Sequence, residues 1–151
     1  MHYHQILIEH LPTLNLIPEE LKTLQTTLAS TYYANLSVFR SAPDTWAINQ
    51  LFPILPIHRL NEKPDCLGHF ADLTCDSDGK LAQFIDNGNV KSLLELHDFN
   101  PDDPYIIGIF LGGAYQEVMG NLHNLFGTTN AVHIRLTSTG GYQVDHVVRG
   151  N

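Results

Sequence analysis

The sequence is poor in cysteine and in basic residues. It holds two cysteines, Cys66 and Cys75, and 8 lysines and arginines against 16 acidic residues, a formal net charge of −8. Two cysteines without a CxxC pair cannot build a dense disulfide framework, so a reducing cytoplasm is the expected compartment. Because no run of lysine or arginine could neutralise nucleic-acid phosphates, a nucleic-acid partner is not expected.

Long apolar runs are lacking as well. The longest apolar stretch, Ile106 to Leu111, is far too short to cross a bilayer. The first residues show no basic region followed by an apolar one, so a signal peptide and a membrane partner are not expected. At 151 residues, 43% hydrophobic and 16% charged, the chain has the composition of one soluble globular domain. Its acidic balance suits small cationic ligands.

Residue periodicity predicts a mainly β chain with flanking helices. One helix is expected to open at Pro18 and a second to run from Tyr115 to Leu125. The predicted strands are Tyr32 to Arg40, Phe70 to Cys75, Tyr105 to Leu111 and a hairpin of Val132 to Leu136 with Tyr142 to Val148.

A thiol and two carboxylates follow one another in a predicted turn. Cys75 precedes Asp76 and Asp78, which would place an acid–base group and negative charge at one strand end. Aspartate, serine and glycine are also the ordinary residues of tight turns, so composition alone favours a plain turn. A calcium loop is excluded, because Thr74 and Ile85 stand where its first and last carboxylates should be.

Two further turns hold groups that suit a phosphate and a guanidinium. Gly112 and Gly113 precede a predicted helix and would let backbone approach a phosphate, with Tyr115 as a hydroxyl donor. Asp44 beside Trp46 could hold a guanidinium by charge and stacking. Taken singly, each segment is better explained as a turn, with Tyr115 half-buried and Trp46 in the core. The 9 histidines form no ligand cluster, so no metal site is predicted.

Four segments in a fixed order carry a family resemblance. They are Asn35–Pro53 (NLSVFRSAPDTWAINQLFP), Leu73–Gly79 (LTCDSDG), Gly113–Glu117 (GAYQE) and Gly120–Gly127 (GNLHNLFG). Together they resemble the biosynthetic arginine decarboxylases of bacteria and plants, over about Tyr32 to Gly150. Members of that family pair a (β/α)₈ barrel with a β-barrel domain and use pyridoxal phosphate.

The resemblance implies a fold and a domain division. Residues 32–151 would form the β-barrel-like carboxy-terminal domain of a fold-type III pyridoxal-phosphate decarboxylase, apparently truncated at its carboxy end. Residues 1–31 would be the end of the family's helical insertion. The (β/α)₈ barrel, which carries the Schiff-base lysine, would lie outside this chain, since none of its lysines lies in a matching motif: Lys22, Lys63, Lys80 and Lys91.

The resemblance also implies roles for individual residues. Cys75 would be the general acid that protonates the carbanion after CO₂ leaves, and Asp76 would contact the distal end of the substrate. Tyr115, with Gly113 beside it, would bind the cofactor phosphate. Family members form homodimers or larger assemblies with active sites at subunit interfaces, and magnesium is a further cofactor that the resemblance makes possible.

One departure bears on the substrate. In the ornithine-using relatives an aspartate follows the asparagine equivalent to Asn35, and here that position is Leu36. The departure argues against ornithine and leaves Asp44, Asp76 and Asp78 as candidate partners of a guanidinium.

The implied reaction converts L-arginine to agmatine and CO₂ in polyamine biosynthesis, with the isolated chain expected to be inactive. Two alternatives stay open. One is a non-catalytic regulatory or binding protein that reuses the domain, and the other is a free-standing β-domain that binds a small cation.

Overall fold

The computed structural model describes residues 19–72, 79–120 and 127–151. Its elements in chain order are helix α1 (Glu19–Leu28), β1 (Ser30–Tyr33), α2 (Val38–Ser41), α3 (Pro43–Ala47), β2 (Ile54–Pro56), β3 (Cys66–Ala71), β4 (Lys80–Leu81), β5 (Phe84–Asp86), β6 (Asn89–Lys91), β7 (Leu94–Leu96), β8 (Ile107–Ile109), α4 (Gly113–Met119), β9 (Ala131–Leu136) and β10 (Tyr142–Val148). Strands outnumber helices and the helices flank them, so the predicted fold class is confirmed.

The central sheet is built around β3. Strand β1 pairs with it in parallel over Ser30–Tyr33, while β4 and β7 pair with it antiparallel at its two ends. The other described strands form three two-stranded ladders, β2 with β8, β5 with β6, and β9 with β10. Within the described ranges, these ladders do not close into a barrel.

The hydrophobic core lies against the β3 sheet. Its buried members are Val38, Phe70, Leu81, Phe84, Leu94 and Leu96, with Tyr32, Leu36 and Tyr105 among the partly buried residues packed on them. The rings of Phe70 and Phe84 meet edge to face, with centroids 6.2 Å apart. Leu36, where the sequence departs from the pattern of the ornithine-using enzymes that it was compared with above, is thus part of this packing.

The strand expected over Tyr32 to Arg40 is wrong beyond Tyr33. The chain bends there and forms α2 from Val38, and Pro43 then opens α3 at its first turn. The Val38 N–H finds its acceptor in Asp72, on another segment of the chain, 34 residues away. Alternation of apolar residues could not predict this helix start, because its partner is not local.

Three other elements differ in extent from their prediction. β3 starts at Cys66, earlier than Phe70, and the end of the predicted strand lies outside the described residues. β8 is confined to Ile107–Ile109. Helix α4 begins at Gly113, two residues before the predicted start, and ends at Met119, because Gly120 is extended with φ −72° and ψ 119°. Residues 121–125 of the predicted helix lie outside the described residues.

The β9–β10 hairpin was predicted correctly and is exposed along almost its whole length. Every residue of β10 is exposed, including Tyr142 (72%) and Val147 (53%), and Leu136 in β9 is 82% exposed. Gly140 supplies the left-handed turn with φ +83°. In the part of the chain that the structure describes, no helix is long and apolar enough to cross a membrane.

Candidate functional site

The structure locates part of the predicted site directly. Asp44 lies in the first turn of α3, and Gly113 and Tyr115 lie in the first turn of α4. Outside the described residues lie Cys75, Asp76 and Asp78. These three residues belong to the segment 73–78. The residues on either side of that segment, Asp72 and Gly79, are described by the structure.

Asp72 joins both ends of the cysteine-containing segment to helix α2. Its side chain is fully buried. One oxygen, Oδ1, accepts a hydrogen bond from the Gly79 N–H at 2.7 Å, and Oδ2 accepts one from the Val38 N–H at 2.8 Å. The Asp72 N–H also donates to the Gly79 carbonyl at 2.9 Å. These three bonds fix residues 72 and 79 against each other and against the start of α2.

Glycine is required at position 79 by this arrangement. A Cβ there would lie 2.8 Å from Asp72 Cγ and 2.9 Å from Oδ1, closer than real Cβ atoms approach. A side chain would therefore displace the carboxylate that makes the two bonds.

Helices α2 and α3 are tied to α4 by two side chains. The Arg40 guanidinium donates to the carbonyl of Glu117 at 2.9 Å and to that of Gly120, which satisfies the carboxyl end of α4. A Cβ at Gly120 would lie 3.0 Å from the Arg40 carbonyl carbon, so glycine permits this close approach. The buried Gln116 donates to the Asp44 carboxylate and accepts from the Asp44 N–H at 3.2 Å.

Asp44 is therefore not a free carboxylate. Besides its pairing with Gln116, its backbone carbonyl accepts from Ile48 at 3.1 Å and from Gln50 at 3.0 Å. The expectation that Trp46 lies in the core is wrong, because 67% of it is exposed and its ring meets Phe39 edge to face at 5.4 Å. An aromatic face beside Asp44 is thus open to solvent.

Gly113 and Tyr115 present an open surface at the amino end of α4. Gly113 has φ +57°, and a Cβ at this position would meet nothing within 4 Å. The Tyr115 side chain is 67% exposed, so it is not the half-buried residue that the plain-turn interpretation expected. Backbone without a side chain next to an exposed phenol leaves room for an external anion such as a phosphate.

Cys66, the other thiol, has a different character. It lies half-buried beside Tyr32, and burial raises the pKa of its thiol. Burial likewise raises the pKa of Tyr32, whose hydroxyl donates to the His97 carbonyl at 3.0 Å. Cys66 packs against the hydrophobic core and lies outside the four segments that carry the resemblance, so it is assigned a structural role.

The described residues fit part of a pyridoxal-phosphate site. Gly113 and Tyr115 offer the space and the hydroxyl that a phosphate from outside the chain would use. When bound, the cofactor supplies the electron sink for loss of CO₂. Within the described ranges no cluster of three or more histidine, cysteine or acidic side chains could hold a metal ion.

Three connecting residues were missed by the sequence reasoning: Asp72, Arg40 and Gln116. Asp72 stands directly before the cysteine segment, and Arg40 and Gln116 lie within quoted motifs. In the sequence, the signal that could have pointed to Asp72 is a carboxylate at the end of a predicted apolar strand. For the other two the signal was weak, because their partners are more than seventy residues away in sequence.

Comparison with known proteins gives a consistent result. The chain is 71% identical over 147 residues to the biosynthetic arginine decarboxylase of Prochlorococcus marinus strain MIT 9313, and 66% identical over 135 residues to that of Nostoc sp. strain PCC 7120. These alignments cover 97% and 89% of this chain, but 23% and 20% of those relatives. No protein-family model matches the chain.

A solved structure shares the fold. The crystal structure of the biosynthetic arginine decarboxylase of Campylobacter jejuni superimposes with a TM-score of 0.59 at 39% identity, covering 79% of this chain and 20% of that one. The chain thus spans about a fifth to a quarter of the length of the proteins it matches. On sequence and fold together, it corresponds to one segment of the biosynthetic arginine decarboxylases.

Proposed function

We propose that this chain supplies the catalytic acid, the distal substrate contact and a phosphate contact to an arginine decarboxylase that converts L-arginine to agmatine and CO₂. Pyridoxal phosphate would be held mainly by the (β/α)₈ barrel of the same or a neighbouring subunit. Residues 32–151 would act as the β domain, with residues 1–31 as the preceding helical segment.

The observation that carries this proposal is the meeting of three separated motifs in the fold. Asp72 ties the ends of the cysteine segment to α2, and Arg40 ties α2 to the carboxyl end of α4. Helix α4 carries Tyr115 in its first turn.

In this proposal Cys75 donates the proton that replaces the lost CO₂. A neighbouring carboxylate favours the neutral thiol over the thiolate, so Asp76 would help to keep the proton on sulfur until it is needed. The position of the thiol would determine which carbon receives the proton, and this would decide between decarboxylation and side reactions.

The guanidinium of arginine needs a carboxylate partner, and Asp76 is ranked first because it follows the catalytic cysteine. Asp44 is ranked below it, because Gln116 already occupies its carboxylate. A guanidinium at Asp44 would have to displace that amide, although the exposed Trp46 face could stack on it. Asp78 is assigned to the turn itself.

The setting of the complete enzyme is also part of the proposal. We infer a cytoplasmic homo-oligomer, on the grounds of family resemblance and of the exposed apolar hairpin β9–β10. Magnesium is not built into the proposed mechanism, since no described cluster offers it ligands.

The proposal is tested by returning the chain to a complete enzyme. The matching segment of the Prochlorococcus marinus MIT 9313 decarboxylase, 71% identical, is replaced by this chain, and CO₂ release from carboxyl-labelled arginine is measured. Activity is expected, with agmatine as the product. In that enzyme Cys75→Ala should slow turnover by about 10²–10⁴-fold, the usual contribution of a general acid.

Cys66→Ala is the matched control, because it removes a thiol that the structure places inside the packing. It should leave turnover nearly unchanged and act only on stability. An exchanged enzyme that folds, binds pyridoxal phosphate and still releases no CO₂ would favour the non-catalytic alternative. Equal losses in the two cysteine variants would remove Cys75 from the mechanism.

A further inference from the structure

We propose that His133 and His146, on the two strands of the β9–β10 hairpin, form a two-histidine binding site for a divalent late transition metal such as Zn²⁺. The inference goes beyond the proposed function and does not depend on it, because the hairpin carries none of the residues assigned to the decarboxylation reaction. Its test therefore needs no decarboxylase activity.

The two imidazole rings face each other directly across the ladder. His146 pairs with His133 in the antiparallel register, and their ring centroids lie 5.9 Å apart with the ring planes at 50°. A metal ion bound at about 2.0–2.1 Å by one nitrogen of each ring would hold the two centroids roughly 5–6 Å apart. The pair therefore has the spacing of two ligands of one ion.

A β-bulge in β10 produces this pairing. The ladder is regular up to Val144, and its continuation would place Asp145 opposite His133. The register shifts between Val144 and His146, so that a second imidazole takes the place of the carboxylate. Bulges re-aim side chains in this way and are frequent beside functional sites. The histidines lie on different strands, so no spacing in the sequence indicates that they meet.

The ring nitrogens of the pair are available to a ligand. Among the five histidines that the structure describes, three use a ring nitrogen in a hydrogen bond within the chain: His58, His69 and His97. For His133 and His146 the described side-chain contact is the ring pair itself, and both residues are exposed. A metal ion can therefore reach both rings without displacing a protein partner.

The donor atoms determine the class of metal. Imidazole nitrogen suits zinc, copper and nickel, whereas magnesium prefers carboxylate, carbonyl and water oxygens. Beside the pair, Arg135 forms an ion pair with Asp145 at 2.9 Å, so the positive charge on this part of the hairpin is neutralised by its partner. Within the described ranges no third histidine, cysteine or acidic side chain completes the set, which leaves the other positions of a four-coordinate ion to water.

A bound ion would join β9 to β10, because its two ligands belong to different strands. A metal that binds the paired register and not the unfolded chain stabilises the folded hairpin as its concentration rises. The next pair along the ladder, Ile134 and Val144, lies on the opposite face, since side chains alternate along a strand. The metal and the apolar face of the hairpin therefore do not compete for the same surface.

The test is calorimetric titration of the 151-residue chain with zinc chloride. The parent chain for this test carries His2→Gln and His4→Gln, because closely spaced histidines bind metal ions by themselves. One Zn²⁺ per chain is expected. His133→Gln and His146→Gln should each weaken zinc affinity by about 10-fold or more, since even residues behind the metal ligands contribute about 10–100-fold. The double variant should bind little worse than either single variant, because a chelate is lost with either ligand.

His58→Gln is the control, because it removes a histidine outside the hairpin whose ring nitrogen accepts the Ile106 N–H at 2.9 Å, and it should leave zinc affinity unchanged. Proton NMR of the parent chain is a second measurement that needs no hairpin variant: zinc should shift the ring C2–H resonances of His133 and His146 together. The site would be overturned by a parent chain that binds no zinc, or by equal affinities in the parent and both single variants. Zinc-induced shifts confined to other histidines would overturn it as well.

Discussion

Replacing Gly79 by alanine should destabilise the chain, and Gly112→Ala should not. At position 79 the new Cβ would lie 2.8 Å from Asp72 Cγ, so the carboxylate must move and lose at least one of its two backbone bonds. A hydrogen bond to a charged group contributes about 1.5–3 kcal/mol, and overpacking costs about 1–3 kcal/mol, so a loss of roughly 2–3 kcal/mol is expected.

Gly112 is the matched comparison because its backbone is helical, with φ −61° and ψ −37°, and a Cβ there would meet nothing within 4 Å. Alanine at such a position stabilises by about 0.4–1 kcal/mol through the unfolded state. The same chemical change is therefore expected to have opposite signs at the two sites.

Urea unfolding followed by far-ultraviolet circular dichroism measures both effects. With a urea m-value of about 2 kcal/mol/M, the Gly79→Ala midpoint should fall by roughly 1–1.5 M urea, and the Gly112→Ala midpoint should rise by roughly 0.2–0.5 M. Equal midpoint changes for the two variants would refute the packing of Asp72 against Gly79.

Four further predictions concern the chain and the complete enzyme. The isolated chain should release no CO₂ from labelled arginine and show no specific visible absorbance with pyridoxal phosphate; a clear signal in both assays would contradict the need for a separate barrel. In the complete enzyme, Asp76→Asn should raise KM for arginine by a factor worth about 1.5–3 kcal/mol, whereas Asp78→Asn should act more on stability; the reverse pattern would exchange their roles. The isolated chain should self-associate through its exposed hairpin, and Ile134→Lys, at a site 55% exposed, should weaken this in sedimentation; a concentration-independent monomer would contradict it. Burial lowers the pKa of His69, so the unfolded chain binds the proton more readily and stability should fall as pH drops below about 6.5; an equally steep fall in His69→Asn would assign the effect elsewhere.

Local pattern was enough to predict elements whose contacts are local. The β9–β10 hairpin follows from alternation on both sides of a glycine turn, and both strands pair within a short span of chain. Helix α1 follows from a proline and acidic residues at its start. The prediction of a strand through Arg40 was wrong because the start of α2 depends on a hydrogen bond to Asp72. No residue near Val38 in the sequence indicates that contact.

The candidate site likewise contains residues that the sequence could predict and residues that it could not. Gly113 and Tyr115 could be singled out from sequence because the residue types themselves suit a phosphate, and the structure places them on an open surface. Asp44 was predicted to lie in a turn, whereas it lies in the first turn of helix α3, and its pairing with Gln116 depends on a residue 72 positions away. Residues with reactive or binding side chains can be recognised in the sequence by their type. The residues that hold them in place can be recognised only in the folded structure, where distant segments are in contact.

The parallel pairing of β1 with β3 has a consequence for how the chain acquires its fold. Ser30 pairs with Gly68 and Tyr33 with Ala71, so a loop of more than thirty residues must close before this ladder exists. Hairpins such as β5–β6 need only a tight turn and can form within microseconds. During synthesis β1 would remain unpaired with β3 until β3 has been made. The interval between those two events is when the growing chain is most open to wrong strand pairing.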